Sequence, residues 1–421
     1  MTAERVGSGL VVLHYTAPSF AGGVESLLAD FLALTSELGR GARLVVGKGK
    51  TLAVSNSEVV EVPLLDADHP RVRSANRLLL DGQSTEETDQ LCDEVTHELS
   101  RVIRRGDVIH VYNVVVNSFN LPLVIALHRF MVARTDVRML AWCFDPFSGS
   151  GPIPASEYER HPLNLLTRLW PRTQYLVPSE YARQRLQGMA AVPHHRVSVV
   201  PPFIDIRREL GLSDQVARLA ETSGLLTCDV SLLCSSRMAR RKNLELALEI
   251  TRVIKDMHRS VRLLVTAPSS PHHPEQSEAY RSEILATVEK LGLMEDVFII
   301  NSGAPGAQSN SCLNSADVAA LHRLVDVVLS TSLWEGYGLS GPEAVLQRTP
   351  ILLSSAAAVA VSPSDGIEVF ELGAEVPYLA RRVLDLADRG AARKGFLRRY
   401  ADRANYLGTL ENIPESLLQA G

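Results

Sequence analysis

From Leu10 to Leu353 the chain repeats one pattern: a short run of β-branched and other apolar residues, a turn, then an amphipathic helical stretch. The runs Leu10–Tyr15, Ala42–Val46, Val108–Val111, Val137–Cys143, Gln174–Val177 and Val197–Val200 form a first series. Val230–Cys234, Val261–Thr266, Val297–Ile300, Val327–Ser330 and Ile351–Leu353 form a second. Apolar runs without polar alternation suit strands buried on both faces, and helices between strands impose parallel pairing. The expected fold class is therefore α/β, with two doubly wound, Rossmann-like parallel sheets. Pro201-Pro202 and the polar stretch to about Thr227 carry little strand signal and read as the connection. The expected domains are residues 1–205 and 206–390, with an Arg-rich helical end, 391–421, packing back toward the first domain. Two such domains facing each other would leave a cleft at the carboxyl ends of the strands.

Composition narrows the function classes. The chain has 421 residues, 43 Lys plus Arg against 48 Asp plus Glu, and a net charge of −5. No cationic surplus is available to neutralise a phosphate backbone, which argues against nucleic-acid binding by bulk charge. No apolar run approaches the ~20 residues that a bilayer core requires. The N-terminal stretch lacks the cationic, long apolar and cleavage regions of a signal peptide, so a cytoplasmic location is expected. Five scattered cysteines (Cys92, Cys143, Cys228, Cys234, Cys312) show no CxxC spacing and read as reduced, buried thiols. Nothing in the pattern opposes a homodimer.

Two loops carry chemistry. Leu333-Trp334-Glu335-Gly336-Tyr337-Gly338-Leu339-Ser340-Gly341-Pro342-Glu343 follows the run Val327–Ser330 directly. Its glycines allow close backbone approach, and the amides before a helix that opens near Pro342 suit an anion such as phosphate. Carboxylates repel phosphate, so Glu335 and Glu343 fit sugar hydroxyls better; the plainer reading is a glycine turn with Glu343 complementing the helix dipole. Ser235-Ser236-Arg237-Met238-Ala239-Arg240-Arg241-Lys242-Asn243 leaves the run Val230–Cys234. Arg237 and Lys242 could converge there on a diphosphate, Arg as a bidentate fork and Lys as a point charge. The plainer reading is a solvated basic turn, although Lys242 stands out in a chain with only six lysines.

Together these segments resemble the GT-B glycosyltransferases of family 4, which transfer sugars from nucleotide sugars with retention. Arg237 with Lys242-Asn243 matches the family's G-R-L-x-x-x-K-N pattern. Asp317 to Asp326, followed by Ser330 to Leu339, is similar to its Y-x-x-A-D…S-x-x-E-G-F-G-L stretch, and Glu335 with Glu343 matches its E-x7-E motif. Ala21-Gly22-Gly23-Val24-Glu25 is similar to its N-terminal glycine loop. The resemblance implies a GT-B fold with an acceptor-side first domain and a nucleotide-sugar-binding second domain. It implies that Arg237 and Lys242 hold the donor diphosphate, with amides of Gly22, Gly23 and of Gly336, Tyr337, Gly338 and Leu339. By the same resemblance Glu335 faces the donor sugar and its phosphate, and Glu343 accepts from the ribose. The donor would be a UDP- or GDP-hexose and the acceptor a small hydroxylic compound. The stretch from Thr266 to Tyr280 is similar to one in enzymes making glucosylglycerate-type solutes. No cofactor or metal need be built in, because cations and amides can neutralise the leaving diphosphate.

The sequence departs from the family at several points. Phe144, before Asp145, occupies the usual histidine position, and His14 and Asp145 stand as unranked substitutes for sugar or acceptor contacts. Ser355-Ala356-Ala357-Ala358 replaces a glycine pair, Pro202-Phe203 an Asn-Gly, and Arg348 a glycine five residues after Glu343. These departures open a second reading, a non-catalytic nucleotide-sugar sensor or partner subunit. Asp66-Ala67-Asp68 could serve a metal-dependent GT-A transferase, since carboxylates suit Mg²⁺ or Mn²⁺, but reads better as a solvated turn. Val46-Gly47-Lys48-Gly49-Lys50-Thr51 lacks the first glycine of a phosphate-binding P-loop. His194-His195 and His272-His273 lack a spaced third metal ligand.

Overall fold

The computed structural model describes residues 9–20, 22–49, 57–147, 153–268, 273–300, 313–358, 367–401 and, near the C-terminus, 406, 408 and 410. Every strand pairing among these residues is parallel. The chain divides into two units, one drawn from residues 1–204 and 403 onward, the other from residues 205–402.

The first unit holds seven strands: β1 (Leu10–Thr16), β2 (Ala42–Lys48), β3 (Ser57–Glu61), β4 (Val108–Tyr112), β5 (Arg138–Trp142), β6 (Thr173–Val177) and β7 (Val197–Val199). Their order is β3-β2-β1-β4-β5-β6-β7. Helices α1 (Gly23–Glu37), α2 (Pro70–Leu80), α3 (Glu86–Val102), α4 (Leu121–Ala133) and α5 (Glu180–Met189) connect or flank them. Alternation along β1 shows why its apolar run is continuous. Val11 and Leu13 join the core formed with α3 and α4, whereas Val12 joins the core formed with Leu28, Phe31 and Leu32 of α1. Each side chain of such a strand meets protein, on one face or the other.

The second unit repeats the plan with six strands: β8 (Val230–Cys234), β9 (Val261–Val265), β10 (Val297–Ile299), β11 (Val327–Ser330), β12 (Ile351–Ser354) and β13 (Glu368–Phe370). Their order is β10-β9-β8-β11-β12-β13. Its helices are α6 (Ile206–Leu210), α7 (Asp214–Thr222), α8 (Leu244–Asp256), α9 (Pro274–Lys290), α10 (Ser315–Leu324), α11 (Ser340–Leu346), α12 (Val376–Arg389) and α13 (Ala391–Ala401). The strand order reverses direction between β1 and β4 in one sheet and between β8 and β11 in the other. These are the switch points where open α/β sheets bind ligands, at the carboxyl ends of the strands.

The two doubly wound sheets are those expected from the sequence. The edge strands β3 and β13, absent from the sequence-based series, are short and partly exposed, so they lack a long apolar run. The expected boundary at 390/391 shifts. Helix α13 stays with the second unit, where Lys394 pairs with Asp326 just ahead of β11 and Arg398 donates to the Cys228 carbonyl. Residues beyond it join the first unit: the Tyr406 hydroxyl accepts the Phe203 N–H at 3.0 Å, and Leu410 is buried in its core. Cys92, Cys143, Cys228 and Cys234 are buried free thiols, while Cys312 lies outside the described residues. Among the described residues, no helix is long and apolar enough to cross a membrane.

Helix α11 ends with Arg348 in the left-handed region, φ 57°. Its N–H bonds the Val345 carbonyl at 3.0 Å and the Thr349 N–H bonds the Ala344 carbonyl at 2.9 Å. That C-terminal geometry favours glycine, the residue the family resemblance expected there. Arg348→Gly should therefore stabilise the protein by about 1 kcal/mol, or ~2–4 °C in Tm for a unit of this size. A Tm equal to or below wild type in thermal unfolding would contradict the strain argument.

Candidate functional site

β8 and β11 lie side by side, with Val327 opposite Leu232 and Val328 opposite Leu233. The loop after each therefore starts at the same edge of the sheet. The loop after β8 is anchored by Met238, whose side chain is buried and whose N–H donates to the Pro268 carbonyl at 3.2 Å. Arg240–Lys242 then form one turn of 3-10 helix, and Asn243, with φ 47°, starts α8. The two loops are stitched together at the backbone. The Thr331 hydroxyl reaches the Lys242 and Asn243 carbonyls at 3.0 and 2.8 Å, and the Leu333 N–H donates to the Arg241 carbonyl at 2.7 Å.

Glu335 sits at the centre of this junction. Its Oε1 accepts from Lys242 Nζ and, at 2.7 Å, from the Ser332 hydroxyl; its Oε2 accepts from Arg241 Nη1 at 2.7 Å. The Glu335 side chain is only 9% exposed and that of Lys242 13%. Ser332 is fixed in turn, because the Ser354 hydroxyl donates to its carbonyl at 2.6 Å. The Arg241 guanidinium lies 4.9 Å from the centre of the exposed Trp334 ring. Partial burial works against ionisation of Glu335, but hydrogen bonds from Lys242, Ser332 and Arg241 outweigh it and hold the carboxyl below the usual glutamate range. One carboxylate faces two cations, so the cluster keeps a positive excess.

The glycine loop then turns into α11. Gly338 has φ 79°, and a Cβ there would collide with the Ala357 carbonyl oxygen. Gly336, Tyr337 and Leu339 are exposed around it. Glu343 projects from the first turn of α11; desolvation raises its carboxyl above the usual value, with Lys242 opposing. The Ser340 hydroxyl donates to the Ser235 carbonyl at 3.3 Å, and the Ser235 hydroxyl lies 3.1 Å from Nε2 of buried His322. Burial lowers His322 to about 4, so this imidazole is neutral at pH 7.

The structure thus joins Glu335 to Lys242, as neither loop alone could, and adds Arg241, Ser332 and Thr331, to which the sequence reading gave no role. Arg237 is exposed and forms no hydrogen bond or ion pair among the described residues, so its expected convergence with Lys242 is not formed here. Arg241 was indistinct within Arg240-Arg241-Lys242; the 3-10 turn sends Arg240 to Glu283 and Arg241 to Glu335. Ser332 had a legible signal, the S-x-x-E spacing, which puts its hydroxyl beside the carboxylate it serves.

In the first unit, His14 ends up at the carboxyl end of β1. Its Nδ1 donates to the Tyr112 carbonyl at 3.1 Å, and its Nε2 lies 3.6 Å from Glu25 Oε1. The Thr16 hydroxyl donates to the same Glu25 oxygen at 2.5 Å. The His14 hydrogen bond is the main cause that lowers the Glu25 carboxyl to about 2; burial opposes it and Thr16 assists. Gly22 precedes α1 and Gly23 opens it, and a Cβ on Gly22 would strike Glu25 Oε2. An ionised carboxylate therefore lies against the glycine pair expected to receive phosphate; Ala21 lies outside the described residues. Phe144 stacks on Trp142 and Tyr112, with centroids 5.7 and 6.1 Å apart. Its N–H donates to Asn113 Oδ1 at 2.8 Å, and Asp145 beside it is exposed.

Asp66 and Asp68 each lie 3.0 Å from Lys48 Nζ, an ion-paired turn rather than an open carboxylate pair. No group of three or more His, Cys, Asp or Glu suited to a metal occurs among the described residues. His194, His195 and His273 are exposed; His272, Lys50 and Thr51 lie outside the described residues.

The two glutamates should move stability in opposite directions with pH. The lowered carboxyl of Glu335 contributes stability above the unfolded glutamate value, and that contribution is lost as pH falls through its folded value. Glu335→Gln should thus destabilise at pH 7, with the deficit shrinking toward pH 3. Glu343, raised in the folded state, is penalised when ionised, so Glu343→Gln should stabilise at pH 7 and lose that gain as pH falls. Urea unfolding midpoints across this range test both signs; two shifts of the same sign would refute the assignment.

No family model matches the chain. Over 428 aligned residues the chain is 24% identical to a trehalose synthase of Pyrococcus horikoshii, covering 96% of this chain and 92% of that protein. Among solved structures it is similar to a glycosyltransferase from Rickettsia africae, with 13% identity, 98% of this chain and 100% of that chain covered, and a TM-score of 0.35. It is also similar to an alpha,alpha-trehalose-phosphate synthase (UDP-forming) from Burkholderia vietnamiensis, with 13% identity, 98% of each chain covered and a TM-score of 0.36.

Proposed function

We propose that this chain is a GT-B glycosyltransferase of the family 4 type, which moves a hexose from a nucleoside-diphosphate sugar to a small hydroxylic acceptor with retention. The observation that carries this reading is the Lys242–Glu335–Arg241 cluster at the β8/β11 switch point, beside a glycine loop that tolerates no side chain at 338. The near full-length similarity to a trehalose synthase supports sugar chemistry and makes a sugar hydroxyl the first acceptor class to try. A glucosylglycerate-type acceptor is the second; part of the stretch that suggested it, residues 269–272, lies outside the described residues.

In this reading the diphosphate binds at Lys242 and Arg241, with Arg237 folding in from solvent and the amides of Gly336–Leu339 completing the contact. Glu335 orients the two cations and faces the transferring sugar, while Glu343 accepts from the ribose. The acceptor oxygen bonds to the anomeric carbon on the face that the phosphate oxygen leaves, and that oxygen takes the acceptor proton. Cations and amides stabilise the charge that develops on the leaving group. A phosphate contact at Gly22-Gly23 would require the Glu25 carboxylate to turn away. A second reading, nucleotide-sugar binding without turnover, is favoured by Phe144, whose stacked ring offers no polar contact where the family places histidine.

Incubating the protein with UDP-, GDP- and ADP-glucose or -mannose plus glucose or glycerate separates the two. Release of nucleoside diphosphate with an α-linked product, read by NMR, supports the transferase; nucleotide binding without turnover supports the sensor. Arg237→Ala should weaken donor use with Tm unchanged, because Arg237 is exposed. Lys242→Ala should weaken donor use and also cost on the order of 1–3 kcal/mol of stability, because it removes one of the three donors that hold a partly buried carboxylate. Wild-type kinetics in both variants would remove the diphosphate assignment.

The two glutamates divide the kinetics. Glu343→Gln should raise KM for the donor and leave kcat nearly unchanged, since the ribose does not react and its contacts are equal in ground and transition states. Glu335→Gln should lower kcat. A larger kcat loss in Glu343→Gln than in Glu335→Gln would reverse these roles.

A further inference from the structure

At the opposite, amino ends of β11 and β12 the second unit holds a recess of about 150 Å³ lined by Asp326, Arg348, Arg389, Gly390, Arg393 and Lys394, among others. Its charge is unbalanced. Asp326, the acid in the lining, is spent: its Oδ2 accepts from the Ser231 N–H at 2.7 Å and the Ser231 hydroxyl at 2.8 Å, and it pairs with Lys394. Arg389 shares Glu368 with Arg382. Arg348 and Arg393 have no carboxylate partner among the described residues, and neither has the adjacent Arg323, whose carbonyl accepts from Arg393. Gly390, Arg393, Lys394 and Leu397 line the recess from one face of α13 and the turn before it.

Arg348 and Arg393 stand exposed at the rim of this recess, so an anion arriving there would meet two guanidinium groups that no carboxylate holds. Burial, with Arg323 adding, pulls the Arg393 guanidinium below its ordinary value against the pull of Asp326. The recess exceeds what water alone requires and has room for a phosphate with part of an attached group. Arg forks are donors that recognise phosphate oxygens.

We infer that the recess bounded by Arg348, Arg393, Lys394 and the start of α13 is a phosphate-binding site, separate from the Glu335 cluster and at the other end of the same strands. Its ligand is a small phosphate-bearing molecule or inorganic phosphate itself. The conformation of Arg348 supplies a clean test, because Arg348→Gly removes the guanidinium while relieving its backbone.

Inorganic phosphate and glycerol 3-phosphate would be titrated calorimetrically into wild type, Arg348→Gly, Arg393→Ala and Lys242→Ala, at constant ionic strength set with chloride. Lys242→Ala, which removes the phosphate contact proposed at the Glu335 cluster, should keep the recess site at its wild-type affinity. Arg348→Gly and Arg393→Ala should each bind about tenfold more weakly, as expected for loss of one charge-assisted contact, and Arg348→Gly should do so with its Tm undiminished. Tighter binding of glycerol 3-phosphate than of phosphate would identify a monoester site; equal binding would identify a site for the ion. Unchanged affinity in both arginine variants, absence of binding to wild type, or binding lost only in Lys242→Ala would overturn the proposal.

Discussion

The Glu335 carboxylate, wedged between Lys242 and Arg241, is the interaction on which the β8–β11 edge depends. Two cations adjacent in sequence repel, and one turn of 3-10 helix would not by itself aim both at one point. The carboxylate makes that arrangement favourable, and the cations make its partial burial tolerable, since an ion taken out of water is stable only when its lone pairs are filled. Ser332 fills one of them and Ser354 fixes Ser332. The same carboxylate pins the start of the glycine loop, which lets Gly338 pass against the Ala357 carbonyl and deliver Glu343 on the first turn of α11.

The two units share a topology but differ in what they present at the ends of their first strands. β1 leads to an ionised carboxylate, Glu25, held by His14 and Thr16. β8 leads to a cationic loop with one carboxylate to balance it. A sheet edge of the first kind favours hydroxyl donors, and one of the second kind favours anions. One fold repeated twice in a chain can therefore present two different chemistries, because the specificity resides in loops and not in the sheets.

What could be read from sequence follows the range of the physics involved. Strands such as Val230–Cys234 were legible because burial on both faces leaves a continuous apolar run, and the Glu335 loop because glycine spacing survives without knowledge of contacts. Arg241 was not, since choosing among three consecutive basic residues needs the phase of a 3-10 turn that Thr331 sets from another strand. Glu25 lay in a quoted motif, yet its burial against Gly22 depends on His14, brought close by β1 and held by a carbonyl of β4. That the C-terminal helix starts on the second unit was hidden for the same reason: the Lys394–Asp326 pair, 68 residues apart in sequence, keeps α13 there.

Of the three tryptophans, Trp142 and Trp170 are buried in the first unit, whereas Trp334 is 62% exposed beside Arg241 and Glu335. The chain thus carries its own optical probe. Buried indoles emit to the blue and are shielded from aqueous quenchers, while Trp334 emits to the red and is open to iodide. Collisional quenching of the red component therefore isolates one loop of a 421-residue chain without a label.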